Sequence, residues 1–313
     1  MSTAAVAGDL PPVVAIARDI LRLGVEARLP TTLAYQERLG VGSGTVQKAI
    51  KELREAGAVD LVSRGHMGTF ITALDPVRLW QRAGLRPVHV LLPPSGPIES
   101  LAVAAALAEC LAAFGAGTTI GYQRGAQTRL AAVDAEDADL AVMSQGAASD
   151  LAGYTRVGLG PGTYYAPGSL VTVSRSGGEG APLAVGIDPR SGDHQRLTHA
   201  EFDGVPGGVR YVETDFTYLP RAVLRGEVDT GVWHVVDSLI PLDLVGLRTE
   251  PLAAPDAVAL EKEISSAVLA ARDDSITGAL LGRIDHRELR TAATKARRAG
   301  AEELEARLRV SVR

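Results

Sequence analysis

One kind of turn recurs between residues 93 and 220: a β-rich run ends, small hydroxyl, amide and glycine residues follow, and a helical pattern begins. The turns are PPSGPIES (93–100), YQRG (122–125), SQGA (144–147), DPRSGD (188–193) and TDFTYLP (214–220). In open parallel sheets, ligands bind beyond the carboxyl ends of the strands, where helix N-termini offer free N–H groups and positive dipole ends. Ser95, Ser100, Arg124, Ser144 and Gln145 are therefore predicted to line one wall of a cleft. Arg190, Ser191, Thr214, Asp215 and Tyr218 would line the other, with Trp233 as an apolar platform. Arg124 and Arg190 favour a small-molecule effector with an anionic head group, carboxylate or phosphate, and Asp215 would pair with an amino group. Any one of these turns is ordinary turn chemistry. Five of them converging predict a binding cleft.

A second set of polar residues lies near the N-terminus. Residues 43–56 read as a helix whose stripe Val46, Ala49, Ile50 and Leu53 faces inward. Ser43, Thr45, Gln47, Lys48, Lys51 and Arg54 then face out. Thr45 and Gln47 suit base edges, Gln being able to bond adenine through two hydrogen bonds, while Lys48, Lys51 and Arg54 suit phosphates. Enzyme chemistry has much thinner support. Cys110 sits in an Ala/Leu helix and reads as a small core residue. His194 and His199 are five apart and make a poor ligand pair, and Ser174 and Ser176 lie in no GxSxG context. No CxxC, HExxH or GxxxxGK[ST] pattern occurs, and GLGPG (158–162) precedes Tyr164-Tyr165 rather than a helix. No catalysis, cofactor or metal is expected.

The elements that must position these groups follow from periodicity. Pro11-Pro12 opens a helix over 11–23, where a missing N–H costs nothing. Thr31-Thr32 caps a second helix that stops at Gly40. A Gly-Val-Gly turn leads to the helix at 43–56, which is the helix-turn-helix pattern. Alternation at 59–63, a turn at 64–68 and a return at 69–71 predict a hairpin with Arg64 and His66 at its tip. Residues 72–86 read as a linker. Apolar runs at 88–92, 118–122 and 139–143, separated by helices at 100–114 and 128–135, predict a parallel sheet with right-handed crossovers. A second such unit spans 183–233. SLVTVSRSG (169–177) and SAVLAARDD (266–274) are alike and each follows one α/β unit, as matched crossing strands would. Residues 286–309 read as a terminal helix.

LPTTLAYQERLGVGSGTVQKAIKELREAGAVDLVSRGHMGTFI (29–71) resembles the GntR-type winged helix-turn-helix, and GVGSGTVQ…SRGHMGTFI is closer still to its YhfZ-type regulators. The likeness implies that Thr31, Ser43, Thr45, Gln47, Lys48, Lys51, Arg64 and His66 meet double-stranded DNA. The family commonly carries Arg where this chain has Ser43 and Gln47, and Ser-Glu-Arg where it has Thr31-Thr32-Leu33, which implies weaker or differently specified binding. The two α/β lobes, about 87–167 plus 250–285 and about 168–249, resemble the type II periplasmic-binding-protein fold. The expected fold class is thus an α+β winged helix-turn-helix domain over 1–71, a linker over 72–86, an α/β two-lobed sensor of that fold over 87–285, and a C-terminal helix over 286–313.

Composition bounds the choice. With 313 residues, 46% hydrophobic and 22% charged, the chain can build about two globular domains. The net charge of −5 divides into +1 over residues 1–71 and −6 over the rest, so the reading head is the less acidic part without being strongly basic. One cysteine permits no intramolecular disulfide, and MSTAAVAGDLPP lacks the basic and apolar regions of a signal peptide. A cytoplasmic, non-membrane protein is expected. One reading head covers a short stretch of groove, so a homodimer is expected too, with the terminal helix and the segment around Trp80 as dimer surfaces. An enzyme on the two-lobed fold, or a binding module whose reading head has lost DNA affinity, are the competing readings.

Overall fold

The structure, a computed structural model, describes residues 10–94, 97–149, 151–175, 182–235, 241–300, 302–304 and 308. The head consists of α1 (Pro12–Leu23), α2 (Thr32–Leu39), α3 (Ser43–Glu55) and an antiparallel hairpin of β1 (Val59–Ser63) and β2 (Thr69–Leu74). The Thr31 side chain caps α2 by accepting from the Ala34 amide at 3.2 Å. Val46, Ala49 and Leu53 of α3 are buried with Ile16, Ile20 and Tyr35, so the stripe of period 3.6 forms the head's core. Residues 26–29 bond to β2 through Leu29 N to Thr69 O and Ile71 N to Ala27 O, 2.8 and 3.0 Å, steadying the hairpin's edge.

The segment expected to be a linker is ordered. It completes β2 and forms α4 (Pro76–Arg82), with Asp75 capping its start at the Arg78 amide, 3.0 Å. Leu79 and Trp80 are buried against α1, which removes Trp80 as a dimer surface.

Two α/β lobes follow. The first contains β3 (Val88–Leu92), α5 (Ile98–Ala112), β4 (Thr118–Tyr122), α6 (Ala126–Asp134), β5 (Leu140–Ser144) and β6 (Tyr154–Gly158). The second contains β7 (Leu170–Arg175), β8 (Leu183–Ile187), α7 (Gly192–Phe202), β9 (Val209–Glu213), α8 (Leu219–Leu224), β10 (Thr230–His234) and β11 (Leu247–Pro251). The chain then returns through α9 (Pro255–Ile264) to β12 (Ala267–Arg272) in the first lobe, and ends in α10 (Ile276–Leu281) and α11 (His286–Ala296). The sheet orders are β4-β3-β5-β12-β6 and β11-β7-β10-β8-β9. Each has a parallel triplet, β3 with β4 and β5 or β8 with β9 and β10. Each triplet carries one antiparallel strand that enters from the other lobe, β12 on β5 and β7 on β10. These are the two look-alike segments at 169–177 and 266–274. The two crossing segments are bonded together, Tyr164 N to Ser265 O and Ala267 N to Thr163 Oγ1, both at 2.9 Å.

The terminal helix also packs on its own chain. Ala296 and Leu304 bury against Leu101, Ala102 and Ala105 of α5, whose small side chains allow the close approach. The described helix ends at Ala296 and gives way to a 3-10 turn at Arg297–Ala299.

Three arginines fix the head, two to α4 and one to the first lobe, each bonded to backbone carbonyls at or just beyond the end of a neighbouring helix. Arg78 Nη1 donates to Ala56 O beyond α3 at 2.8 Å, and Arg18 Nε to Ala83 O beyond α4 at 2.9 Å. Arg283, just after α10, donates to Leu21 O and Arg22 O of α1, both at 2.6 Å. Gly24, at φ +80°, makes room for it: a Cβ there would lie 2.7 Å from the Arg283 guanidinium. Replacing Arg283 with alanine should destabilise the chain by about 1–3 kcal/mol, since two helix-end carbonyls are deprived of a charged donor. The expected result is a lower urea midpoint, with the head melting before the lobes when followed by hydrogen exchange.

Candidate functional site

The outer face of α3 presents Ser43, Thr45, Gln47, Lys48, Lys51 and Arg54, all exposed. Lys51 makes only a loose pair with Glu55 one turn on, at 3.6 Å. Beyond α3, the hairpin tip is a 3-10 turn at Gly65–Met67 that holds His66 exposed, and the Arg64 guanidinium lies over the Phe70 ring at 4.6 Å. The residues expected at DNA thus divide between the outer face of α3, the α2 cap Thr31, and Arg64 with His66 on the hairpin. Thr31 is committed to its cap, but its backbone stays at the surface.

The second site is a cleft of about 220 Å3 between the lobes. The N-terminal ends of α5, α6 and α7 all open into it, through Pro97 and Ser100, Gly125 and Ala126, and Ser191 and Gly192. Their unbonded first-turn amides make the space receptive to negative charge. At Gly125, φ +85° is a left-handed conformation that favours glycine, and a Cβ would stand 2.9 Å from Thr128 Oγ1.

Of the residues expected to line the cleft, Ser100, Arg124, Ser144, Arg190 and Ser191 do. Ser191 caps α7 at the His194 amide, 3.3 Å, and Ser144 Oγ accepts from the Ala147 amide at 3.1 Å. Arg124 reaches across from the first lobe to ion-pair with both Asp188 and Asp215 of the second. It is a bolt between the lobes, and Asp215 is occupied by it rather than open to an amino group. Gln145 is exposed outside the cleft, Thr214 donates to Val212 O, and Tyr218 lies at the surface near Arg221. Trp233 is buried on the far face of its sheet among Val171, Val173 and Leu219. Ser95 lies outside the described residues.

The deeper lining was not expected from the sequence. Arg129, only 2% exposed, donates Nε to Val142 O at 2.9 Å and Nη1 to Gln123 O at 2.7 Å, with Nη2 3.5 Å from the Tyr164 hydroxyl. Asp193 faces the cleft from α7; burial raises its pKa, and a hydrogen bond with Ser144 opposes the rise. Tyr164 and Tyr165 meet edge to face at 4.8 Å, and Tyr165 meets His234 at 5.0 Å. The only signal for these in the sequence is GLGPG leading into Tyr164-Tyr165 instead of a helix.

His234 is 5% exposed, lies 3.8 Å from Glu99, and has no hydrogen-bond partner at Nε2. Burial pushes its pKa down from 6.5 to about 4. The unfolded chain therefore takes up the proton first, so this residue's contribution is present above pH 6.5 and drains away as pH falls towards 4. The expected loss is roughly 2 kcal/mol at pH 5 relative to pH 8. Glu99, raised by burial, opposes this, so the comparison is with His234→Asn: the variant's melting temperature should fall less between those two pH values than the parent's. Equal slopes would remove His234 as the cause.

Among the described residues, no group of three or more His, Cys, Asp or Glu side chains converges as a metal site, and no helix is long and apolar enough to cross a membrane. Cys110 is only partly buried, less than expected for a core residue, and burial raises its thiol pKa.

The profile of the YhfZ C-terminal domain family matches residues 75–297, most of the chain. The chain belongs to the YhfZ family. A helix-turn-helix domain profile matches residues 25–71. Protein YhfZ of Escherichia coli (strain K12) is 28% identical over 245 residues, covering 76% of this chain and 78% of that protein. The HTH-type transcriptional regulator Rv1152 of Mycobacterium tuberculosis is 45% identical over 49 residues, which is 16% of this chain and 39% of that one. The crystal structure of YhfZ from Shigella flexneri superposes with a TM-score of 0.54 at 24% identity, over 73% of this chain and 97% of that one. The family profile thus spans the two α/β lobes of this chain, and the helix-turn-helix profile covers the head on their N-terminal side.

Proposed function

We propose that this YhfZ-family chain is a ligand-responsive, DNA-binding transcriptional regulator of the cytoplasm, without catalytic activity, resident metal or cofactor. Residues 1–71 form a winged helix-turn-helix head of GntR type; 72–86 join it to a sensor of type II periplasmic-binding-protein form over 87–285, followed by the C-terminal segment 286–313. The observation that carries this reading is a helix-turn-helix whose preceding helix α1 is held by Arg283 of a lobe that also forms one wall of a cleft lined by both apolar and charged side chains. A small metabolite with an anionic group, held against the helix N-termini and Arg129, would favour the closed lobes. Only a ligand that binds the two arrangements unequally can bias the attached heads. A mobility-shift assay with the upstream region of the chain's own gene, at two salt concentrations, tests it: specific binding with a steep salt slope is expected, and salt-insensitive or absent binding overturns it.

The regulator works as a homodimer, because a single head reads too short a groove segment for useful affinity. Trp80 is buried within its own chain, whereas α11 buries only the face of Leu289, Ala293 and Ala296 and leaves its other face exposed for the contact. Light scattering at micromolar concentration should give twice the 32.7 kDa chain mass. A monomer both with and without DNA would count against it.

A further inference from the structure

Arg129 and Asp193 bring opposite charges into the same cleft from opposite lobes. Both are buried, at 2% and 9% exposure. No carboxylate lies within ion-pair distance of Arg129 and no cationic group within that distance of Asp193, among the described residues. Of the other charges lining the cleft, Arg124 is paired with Asp188 and Asp215 and Arg196 with Glu263 at 3.0 Å, while Arg190 is exposed at the rim. Burying a charge without an ion-pair partner is costly; Asp193 has only a Ser144 hydrogen bond and the more distant Arg196 and Arg129 to favour its charged form, so a cation entering the cleft would stabilise it. Arg129 spends its donors on the Val142 and Gln123 carbonyls and the Tyr164 hydroxyl, which still leaves two N–H groups. His234 Nε2, also buried and without a partner, lines the same space. Its depressed basicity keeps the imidazole neutral, so Nε2 can accept a hydrogen bond.

We infer that the cleft takes a small zwitterion, an amino acid in the broad sense, whose carboxylate meets Arg129 and whose ammonium meets Asp193. The inference rests on the ligand-responsive reading above and names its ligand class. A volume of about 220 Å3 walled by Pro93, Pro94, Tyr164, Tyr165 and Phe216 suits a compact molecule with a short apolar body. The two charges sit on different lobes, so such a ligand bridges them and closes the cleft. A simple carboxylate would satisfy Arg129 and leave Asp193 bare.

The test is calorimetry on the full-length protein without DNA, so that its outcome is independent of operator binding. The probes are L-alanine, L-leucine, β-alanine and γ-aminobutyrate, beside the amine-free carboxylates propionate, isocaproate and butyrate and the amine isoamylamine. At least one amino acid should bind roughly tenfold or more tightly than its amine-free partner, since the latter cannot make the buried charged hydrogen bond. Asp193→Asn should bring that amino acid down to the level of its amine-free partner without weakening the partner. A merely structural Asp193 would weaken both alike. Arg129→Lys should weaken both, a point charge replacing the planar fork. Should the variants fold poorly by circular dichroism, the parent's selectivity decides alone. Equal binding of amino acids and amine-free carboxylates, or no binding of any amino acid at millimolar concentration, overturns the inference while leaving DNA recognition standing.

Discussion

With Lys48 and Lys51 both replaced by alanine, affinity should fall for every DNA sequence alike, and the log–log salt slope should flatten by about 1.8, or about 0.9 for each phosphate no longer neutralised. Both side chains stand on the exposed face of α3, and the loose pairing of Lys51 with Glu55 leaves that ammonium able to turn to a phosphate. Sequence preference should survive, because phosphate contacts position the helix and base contacts specify. Gln47→Ala is the counterpart: it should cost roughly 1–3 kcal/mol on the preferred operator and little on random DNA. If the lysine pair changes neither affinity nor slope, α3 is not the element that enters the groove. If Gln47→Ala weakens random DNA as much as the operator, its part as a base reader is wrong.

Arg124→Ala should cost about 3–5 kcal/mol of stability, among the largest effects of any single polar substitution in this chain. Its partner Asp188 is 0% exposed and accepts from the Arg190 amide at 2.9 Å and the Phe216 amide at 3.2 Å. Removing the guanidinium leaves that carboxylate buried without a cation. Asp215 is stripped of its partner as well, and the lobes of their bolt. Urea unfolding measures the loss, and small-angle scattering should show a larger radius of gyration as the lobes part. Asp188→Asn, which removes the charge and keeps the shape, should cost less than Arg124→Ala. An Arg124→Ala chain within about 1 kcal/mol of the parent would mean that water already screens the cluster.

Much of the architecture was legible because it is local. The stripe Val46, Ala49 and Leu53 has the helical period, and 88–92, 118–122, 183–187 and 209–213 are unbroken strand runs that appear at those positions. The resemblance of 169–177 to 266–274 pointed to the paired crossings, since both segments meet the same demand, an antiparallel strand against a parallel triplet. The strands β6 and β11 and the helices α9 and α10 carry weaker patterns and emerged only in the fold. So did α4, because the burial of Leu79 and Trp80 is decided by α1, over fifty residues away.

The reading face and the cleft divide along the same line. By itself the sequence determined which residues stand outside on α3, because a single helix with one apolar stripe has only one way to face its core. It also determined that helix N-termini would gather at the strands' carboxyl ends. Only the tertiary structure decided which side chains meet there. Trp233 and His234 are adjacent in β10, and alternation sends one into the lobe's far core and the other into the cleft; nothing local says which. Arg124 read as a free anion receptor until Asp188 and Asp215, more than sixty residues further on, arrived to occupy it. Arg129 and Asp193 became a facing pair only when two lobes, each built from distant segments, closed on one another. Charge complementarity across a cleft is a property of distance in space, which the order of residues along the chain does not contain.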